Sequence, residues 1–472
     1  MSAGLIISWL TVLAIVMGMA VSLAGPGARK ATMYLCALGL VTALIKIWLF
    51  QQAPQWHDIN PDSITYDVNA RAFARHWAGE TVDAYEYHLR GLQMWHEAGL
   101  HGRSWTPDDP LSYTSVIGSH EWLYPAWVGL QYGLGATPSL AISSNALFAA
   151  FLPAAAFGIA LSLGASRRLA FAAAWLALLD PSSGVNASWM LKDTLVAFLA
   201  MAAVWAVVRL WRGAGWPATG LLATSLAALG AGRFVAFLAV ILAAGFVVLF
   251  FWRRMAQVSR RLLAGLALAW VGLGLLYFVP HAVTAPQTVT APQTVTAPHA
   301  VTAPQTVTAP FKAISGGMAT LRAARGEAAA DDTVLRWKEN LSTNPLRAAI
   351  KSIAHTLFAP YPWVAIYPGL TWSSFSELYY PGVLLWMACL PGIFWAIGLG
   401  LCSRDPAWWT LLFFLGACLG AYTVFLGEWS TRQRVFVLPA FFALAAIGWP
   451  ALVKCWRDWR HGRSMSTQSS VT

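Results

Sequence analysis

The sequence predicts an all-α polytopic membrane protein with about eleven transmembrane helices and two large outer loops. Hydrophobic residues make up 58% of the 472-residue chain and charged residues 11%, whereas soluble domains carry about 25% charged residues. Apolar runs long enough to cross a bilayer recur along the chain. The predicted spans are residues 4–24, 31–50, 138–163, 168–186, 189–210, 217–232, 233–252, 262–279, 379–402, 406–427 and 434–454. This pattern excludes a large soluble core.

The positive charge predicts the orientation of these spans. The net charge is +11, and most of it lies in short loops between spans, so it favours membrane orientation over nucleic-acid binding. The basic clusters are Arg29 with Lys30, Arg167 with Arg168, Arg209 with Arg212, Arg253 and Arg254 with Arg260 and Arg261, Arg404, and Lys454 with Arg457, Arg460 and Arg463. Placing all of them inside puts the N-terminus outside and the C-terminus in the cytoplasm. The apolar segment 121–135 is short, and we expect it to lie at the interface or to re-enter the membrane.

The same alternation divides the chain into seven segments. They are 1–50 with two transmembrane helices, 51–121 as the first outer loop, 122–279 as a transmembrane bundle, 280–310 as a repeat linker, 311–378 as a second outer segment, 379–455 as C-terminal transmembrane helices, and 456–472 as a cytoplasmic tail. The first outer loop contains ten of the twenty acidic residues and six of the ten histidines. Chemistry at the outer face is therefore expected to centre on this loop.

The second large outer loop, residues 280–378, begins with repeats of VTAPQT that end at Pro310. Proline at every sixth residue prevents a helix, so we expect an extended linker, with a binding repeat as the alternative. Asn344 and Pro345 are typical of a helix start. The apolar residues that follow at helical spacing are Leu346, Ile350, Ile353 and Leu357. They predict an amphipathic helix on the outer membrane surface.

Asp62 is the strongest candidate for acid–base chemistry. It follows Pro61 at the start of a predicted helix, shortly after the second span. An aspartate in this position is typical of a helix cap. It is also a carboxylate held at the membrane surface, where it can act as a general base. The residues alone leave both interpretations open.

Four cations are predicted on the outer side, where positive charge is depleted. They are Lys192, Arg233, Arg432 and Arg434. One interpretation is local pairing, with Asp193 as the partner of Lys192 and Glu428 as the partner of Arg432 or Arg434. The other is that the cations converge on a phosphate, to which the planar guanidinium of arginine is well matched.

Four motifs in this order resemble the GT-C superfamily of integral-membrane glycosyltransferases, which use polyprenyl-phosphate-linked sugars. PDSITY at 61–66 opens the first outer loop, and SWMLKD at 188–193 starts a span. GR at 232–233 follows a short hydrophobic run, and TRQRVFVLP at 431–439 leads into the last span. The resemblance covers most of residues 30–455 and extends to protein mannosyltransferases and lipid A arabinosyltransferases.

The resemblance implies an inverting transfer of a sugar from polyprenyl phosphate to a periplasmic or lipid-linked glycan acceptor at a bacterial inner membrane. Asp62 would be the general base, and Lys192, Arg233, Arg432 and Arg434 would bind the donor phosphate. The acceptor side would include His57, Tyr66 and Asp67. Neither metal ligands nor a cofactor are assigned. Binding of a divalent cation by the histidines of the first loop is left as an open alternative. These histidines are His57, His76, His88, His96, His101 and His120.

Three alternatives stay open beside this hypothesis. One is a polymerase or ligase of lipid-linked polysaccharide, which would rely on outer arginine and histidine rather than on an aspartate base. Another is a transporter or flippase of a lipid-linked sugar, which needs polar or broken spans at mid-membrane. The spans here are nearly free of charge away from their outer ends, which favours a surface reaction. A structural membrane protein is the third.

Overall fold

The computed structural model describes residues 2–52, 61–79, 122–251, 256–283, 373–426 and 434–468, together with Asn344 and a few helical positions between 346 and 354. Within these residues the structure is helical and contains no strand, so the described part of the chain has the all-α architecture of a multi-pass membrane protein. Most of the first outer loop and the whole VTAPQT repeat from Thr284 onward lie outside the described residues.

The helices of the first half are α1 Ala3–Leu23, α2 Arg29–Gln51, α3 Pro61–Trp77, α4 Leu123–Gly133, α5 Pro138–Ser143, α6 Asn145–Ala149, α7 Phe151–Ser162, α8 Arg167–Leu179 and α9 Pro181–Ala187. Those of the second half are α10 Asp193–Trp211, α11 Trp216–Gly232, α12 Phe234–Phe251, α13 Ala256–Val283, α14 Ser373–Cys402, α15 Pro406–Leu426 and α16 Leu438–Gln468.

Eight helical segments within the described residues are long and apolar enough to cross a membrane. They are Ala3–Leu23, Pro26–Gln51, Pro138–Ser162, Asp193–Trp211, Phe234–Phe251, Val258–Leu276, Pro381–Cys402 and Leu438–Arg460. The other three predicted spans fall on α8 with α9, on α11 and on α15. The full count of about eleven and the orientation across the membrane stay predictions.

One predicted span, 168–186, is divided in two by Asp180. α8 ends at Leu179 and α9 begins at Pro181. The Asp180 carboxylate accepts hydrogen bonds from the backbone N–H groups of Ser182, at 3.2 Å, and Ser183, at 3.0 Å. An aspartate cap followed by proline at the first helical position starts a new helix and prevents the first from continuing.

The centre of the bundle is α10, in which every residue except Arg209 is buried. Its alanines allow neighbouring helices to approach closely, as small residues do in membrane bundles. α7, α11, α12 and α15 pack around it. One such close approach to α10 is at Gly158 of α7, where a Cβ would lie 1.9 Å from the ring of Trp205, so only glycine fits there.

The nineteen residues of α10 span about 28 Å, close to the thickness of the hydrocarbon core. We call its two extremities the Asp193 end and the Arg212 end. α3 and the short α4 pack together at the Asp193 end. Gly129 makes their contact possible, since a Cβ there would be 2.8 Å from the carbonyl oxygen of Ala70. With eleven residues, α4 is about 16 Å long and too short to cross a bilayer.

The predicted amphipathic helix after residue 344 is described in part. The side chain of Asn344 accepts a hydrogen bond from the backbone N–H of Arg347 at 3.1 Å, as expected of a helix N-cap. Leu346, Ile350 and Ile353 are helical positions with exposed side chains. Leu357 lies outside the described residues.

Candidate functional site

The segment that carries Lys192 is held by a buried asparagine. The Asn145 amide nitrogen donates to the carbonyl oxygens of Ala187, at 3.1 Å, and Trp189, at 2.9 Å. Its amide oxygen accepts from the Tyr124 hydroxyl at 3.2 Å. Because buried backbone carbonyls outside a helix need partners, Asn145 fixes the path of residues 188–192 between α9 and α10.

The first turn of α3 is attached to the same segment. The buried Ser63 side chain accepts a hydrogen bond from the backbone N–H of Met190 at 3.0 Å. This contact brings the backbone of Asp62, the residue before Ser63, close to the start of α10. The side chain of Asp62 lies outside the described part of the chain.

Lys192 is 6% exposed and lies against an aromatic pair. Its Nζ is 5.9 Å from the centre of the Tyr66 ring, within the range of a cation–π interaction. Tyr66 in turn contacts Tyr124 edge to face, with ring centres 5.4 Å apart. Lys192 was predicted to bind the donor phosphate, and Tyr66 was predicted on the acceptor side. The two side chains are neighbours in the structure.

Arg233 forms a buried ion pair with Asp193. Its Nη1 lies 2.8 Å from the Asp193 carboxylate, and the two side chains are 14% and 2% exposed. The carboxylate of Asp193, which the sequence suggested as a partner of its neighbour Lys192, accepts a hydrogen bond from Arg233, forty residues away. The extended backbone of Arg233 between α11 and α12 lets its side chain reach back to α10.

A third cation, Arg434, lies against α14. It is 3% exposed, and its Cζ lies 4.8 Å from the centre of the Trp386 ring. Phe436, two residues further on, lies 5.9 Å from Cζ of Arg233. Three of the four predicted outer cations thus occupy the Asp193 end. Arg432 and Glu428 lie outside the described residues.

Two neighbouring charged residues, one of them beside Arg434, were not predicted from the sequence. Asp180, 2% exposed, lines a small cavity with Arg434 and Gly382. Lys46 of α2 donates to the Asp180 carbonyl oxygen at 2.6 Å. Both interrupt apolar runs, and an ionisable residue in such a run is a signal of buried pairing or function that the sequence did contain.

Asp67 lies on the α3–α4 interface. Its carboxylate accepts a hydrogen bond from the Tyr132 hydroxyl and pairs with Arg71 at 3.2 Å. Burial, followed by the nearby Asp67 carboxylate, raises the pKa of Tyr132, so its hydroxyl stays protonated and donates. This arrangement gives Asp67 a structural role in joining the two helices.

Within the described residues, no group of three histidine, cysteine or acidic side chains is placed to hold a metal ion. The side chains of the six histidines of the first loop, His57 among them, lie outside those residues. Comparison with protein-family models and with curated proteins gives no match for this chain.

Proposed function

We propose that the protein is a membrane glycosyltransferase that moves a sugar from a polyprenyl-phosphate donor to a glycan or lipid acceptor. The transfer would take place at the outer face of the membrane that the protein spans. The observation that carries the proposal is a continuous set of contacts at the Asp193 end. It runs from Ser63 to residues 190–193, then to Arg233, and on through Phe436 to Arg434. These contacts connect the backbone beside the candidate Asp62 with three cations that are distant in sequence.

The donor chemistry fits this set of charges. When the acceptor hydroxyl attacks C1 of the sugar, the new C1–O bond forms as the bond from C1 to the phosphate oxygen breaks. Polyprenyl phosphate leaves with the electron pair, and the acceptor proton goes to the carboxylate of Asp62. Because negative charge grows on the departing phosphate, Lys192, Arg233 and Arg434 would stabilise the transition state electrostatically.

The location also suits a lipid-linked donor. The cations lie at the ends of helices whose apolar length matches the hydrocarbon core, so a phosphate at headgroup level would meet them while its prenyl chain stays among lipids. Lys192 and Arg434 are nearly buried, and a charge–phosphate contact is stronger in such surroundings than in water.

The test uses the full chain in nanodiscs with polyprenyl phosphate carrying radiolabelled hexoses or pentoses, and host membranes as the acceptor source. Asp62→Asn is expected to lower transfer by about 10²–10⁴-fold, because a general base is lost, while binding of polyprenyl phosphate is kept. Lys192→Gln is expected to weaken that binding. Asp405→Asn, which changes an acid at the Arg212 end, is the matched control and should transfer normally.

Full activity of Asp62→Asn would contradict the aspartate base and favour the polymerase or ligase alternative. Movement of the labelled lipid across the bilayer without any transfer would contradict the enzyme and favour a flippase.

A further inference from the structure

A second polar site lies at the Arg212 end, away from the proposed catalytic centre. It is a cavity of about 560 Å³ between the α1–α2 turn, the α7–α8 turn and the end of α10. Among the residues that line it, three are arginines and none is acidic. The arginines are Arg167, Arg209 and Arg212.

One of the three positive charges is already balanced. Arg212 pairs with Asp405 of the α14–α15 turn, and its Nε donates to the carbonyl oxygen of Ser162 at 2.5 Å. Arg209 lies across the cavity against the α1–α2 turn, where a Cβ at Gly25 would be 3.8 Å from its Nη2. The cavity therefore keeps an excess of positive charge.

Its wall also has buried donors without acceptors among the described residues. They are Nε of Arg209 and the indole Nε1 of Trp205, a residue only 1% exposed. A buried donor that lacks an acceptor costs free energy, so an oxygen-rich ligand that supplied one would be favoured there.

Helix capping does not account for Arg209. Gly164 and Gly213 lie two residues after the ends of α7 and α10 and have φ of +91° and +83°. The backbone N–H groups after these glycines donate to carbonyl oxygens of the preceding helix. The N–H of Ala165 donates to the Ala160 carbonyl, and the N–H of Ala214 donates to the Arg209 carbonyl, both at 3.0 Å. Since glycine turns already satisfy these helix ends, the guanidinium is available for another partner.

The rest of the wall is apolar and close to lipid. Leu23, Phe157 and Leu161 contribute to it, and α1, whose last residue is Leu23, presents exposed apolar side chains such as Ile7 and Ile15 along its length. A ligand that fits would combine phosphate oxygens with alkyl chains. Basic pockets between transmembrane helices are known to hold anionic lipid headgroups.

We propose that this cavity binds the phosphate of an anionic phospholipid, with Arg167 and Arg209 on the headgroup and the acyl chains along α1. The site is separate from the proposed transferase centre, because the length of α10, about 28 Å, lies between them.

The test is native mass spectrometry of the full chain in detergent, with equal amounts of phosphatidylglycerol and phosphatidylcholine, at about 0.15 M salt so that exposed charges are screened. The wild type is expected to retain phosphatidylglycerol selectively. Arg209→Gln should weaken that binding about tenfold, the loss that accompanies one charge-assisted hydrogen bond. Phosphatidylglycerol binding by Arg209→Lys should be intermediate between that of the wild type and that of Arg209→Gln. Lysine keeps the positive charge but lacks the planar set of N–H donors of a guanidinium.

Arg168→Gln is the matched control, since it removes an equal charge from the neighbouring exposed position outside the cavity. Its effect is expected to stay below about twofold. Equal effects of Arg168→Gln and Arg209→Gln would overturn the site, as would equal retention of the two lipids by the wild type. If Arg209→Gln fails to fold, Arg167→Gln, at an exposed position, takes its place in the same comparison.

Inorganic phosphate at millimolar concentration separates the two sources of the anion. The proposal expects it not to displace phosphatidylglycerol. Displacement would identify a soluble phosphate compound as the occupant and would overturn the assignment to a lipid.

Discussion

The two ends of α10 contain the same kind of ion pair in different surroundings. At the Asp193 end, Arg233 and Asp193 are 14% and 2% exposed. At the Arg212 end, Arg212 and Asp405 are 35% and 25% exposed. Each pair joins α10, or the turn directly after it, to a residue far away in sequence.

The difference in burial decides what each pair can do. A buried pair has lost its hydration, so removing one partner leaves a charge that is costly to bury. An exposed pair is screened by water and contributes little to stability. We infer that the Asp193 end is fixed by its charges, which suits a preorganised site, whereas the Arg212 end can exchange partners, which suits reversible lipid binding.

The largest expected effect is on the Asp193 end. Arg233→Met should lower the free energy of unfolding by about 3–5 kcal/mol, because it leaves the buried Asp193 carboxylate without its arginine. Thermal unfolding of the purified protein in detergent would show the loss as a lower midpoint than that of the wild type.

The double variant Arg233→Met with Asp193→Leu is the control for this prediction. Replacing both charges by apolar groups of similar size is expected to recover most of the stability. A double variant as unstable as the single one would show that packing at these positions, and not the buried charge, distinguishes the two ends.

A smaller effect is expected from Asn145→Ala. It removes the donors to the Ala187 and Trp189 carbonyls and should cost about 1–3 kcal/mol, because each of these buried groups loses a hydrogen bond. Proteolysis or hydrogen exchange should show the loosening within residues 188–192. Ser162→Ala is the matched control at the other end, since the Ser162 hydroxyl bonds to Gly158 of its own helix and should change little.

The positions of many helices could be predicted from the sequence. The predicted spans 189–210 and 233–252 correspond to α10 Asp193–Trp211 and α12 Phe234–Phe251. Bilayer thickness fixes the length of an apolar helix, and this constraint is visible in composition alone. The break at Asp180 was missed because the apolar run continues across it, although aspartate followed by proline is a helix-start signal.

The partners of the charged residues could not be predicted in the same way. Asp193 next to Lys192 suggested a local pair, whereas the ion pair of Asp193 with Arg233, forty residues away, was not visible in the sequence pattern. The packing of α10, α11 and α12 decides which distant side chain lies beside Asp193. That packing depends on how side chains fit together rather than on hydropathy. The same holds for Lys46 and Asp180. The sequence shows that both are charged, but it does not show that they are neighbours in the fold.

The smallest expected effect tests the exposed pair. Asp405 has two roles: it pairs with Arg212, and its carboxylate accepts the backbone N–H of Ala407 at 3.0 Å, as a cap of α15. Asp405→Asn keeps the cap, because asparagine caps helices as well as aspartate does, and removes only the charge. We therefore expect a loss below about 1 kcal/mol in thermal unfolding. Asp405→Ala, which also removes the cap, should cost about 1 kcal/mol more. If Asp405→Asn were as destabilising as Arg233→Met, burial would not be what separates the two ends of the bundle.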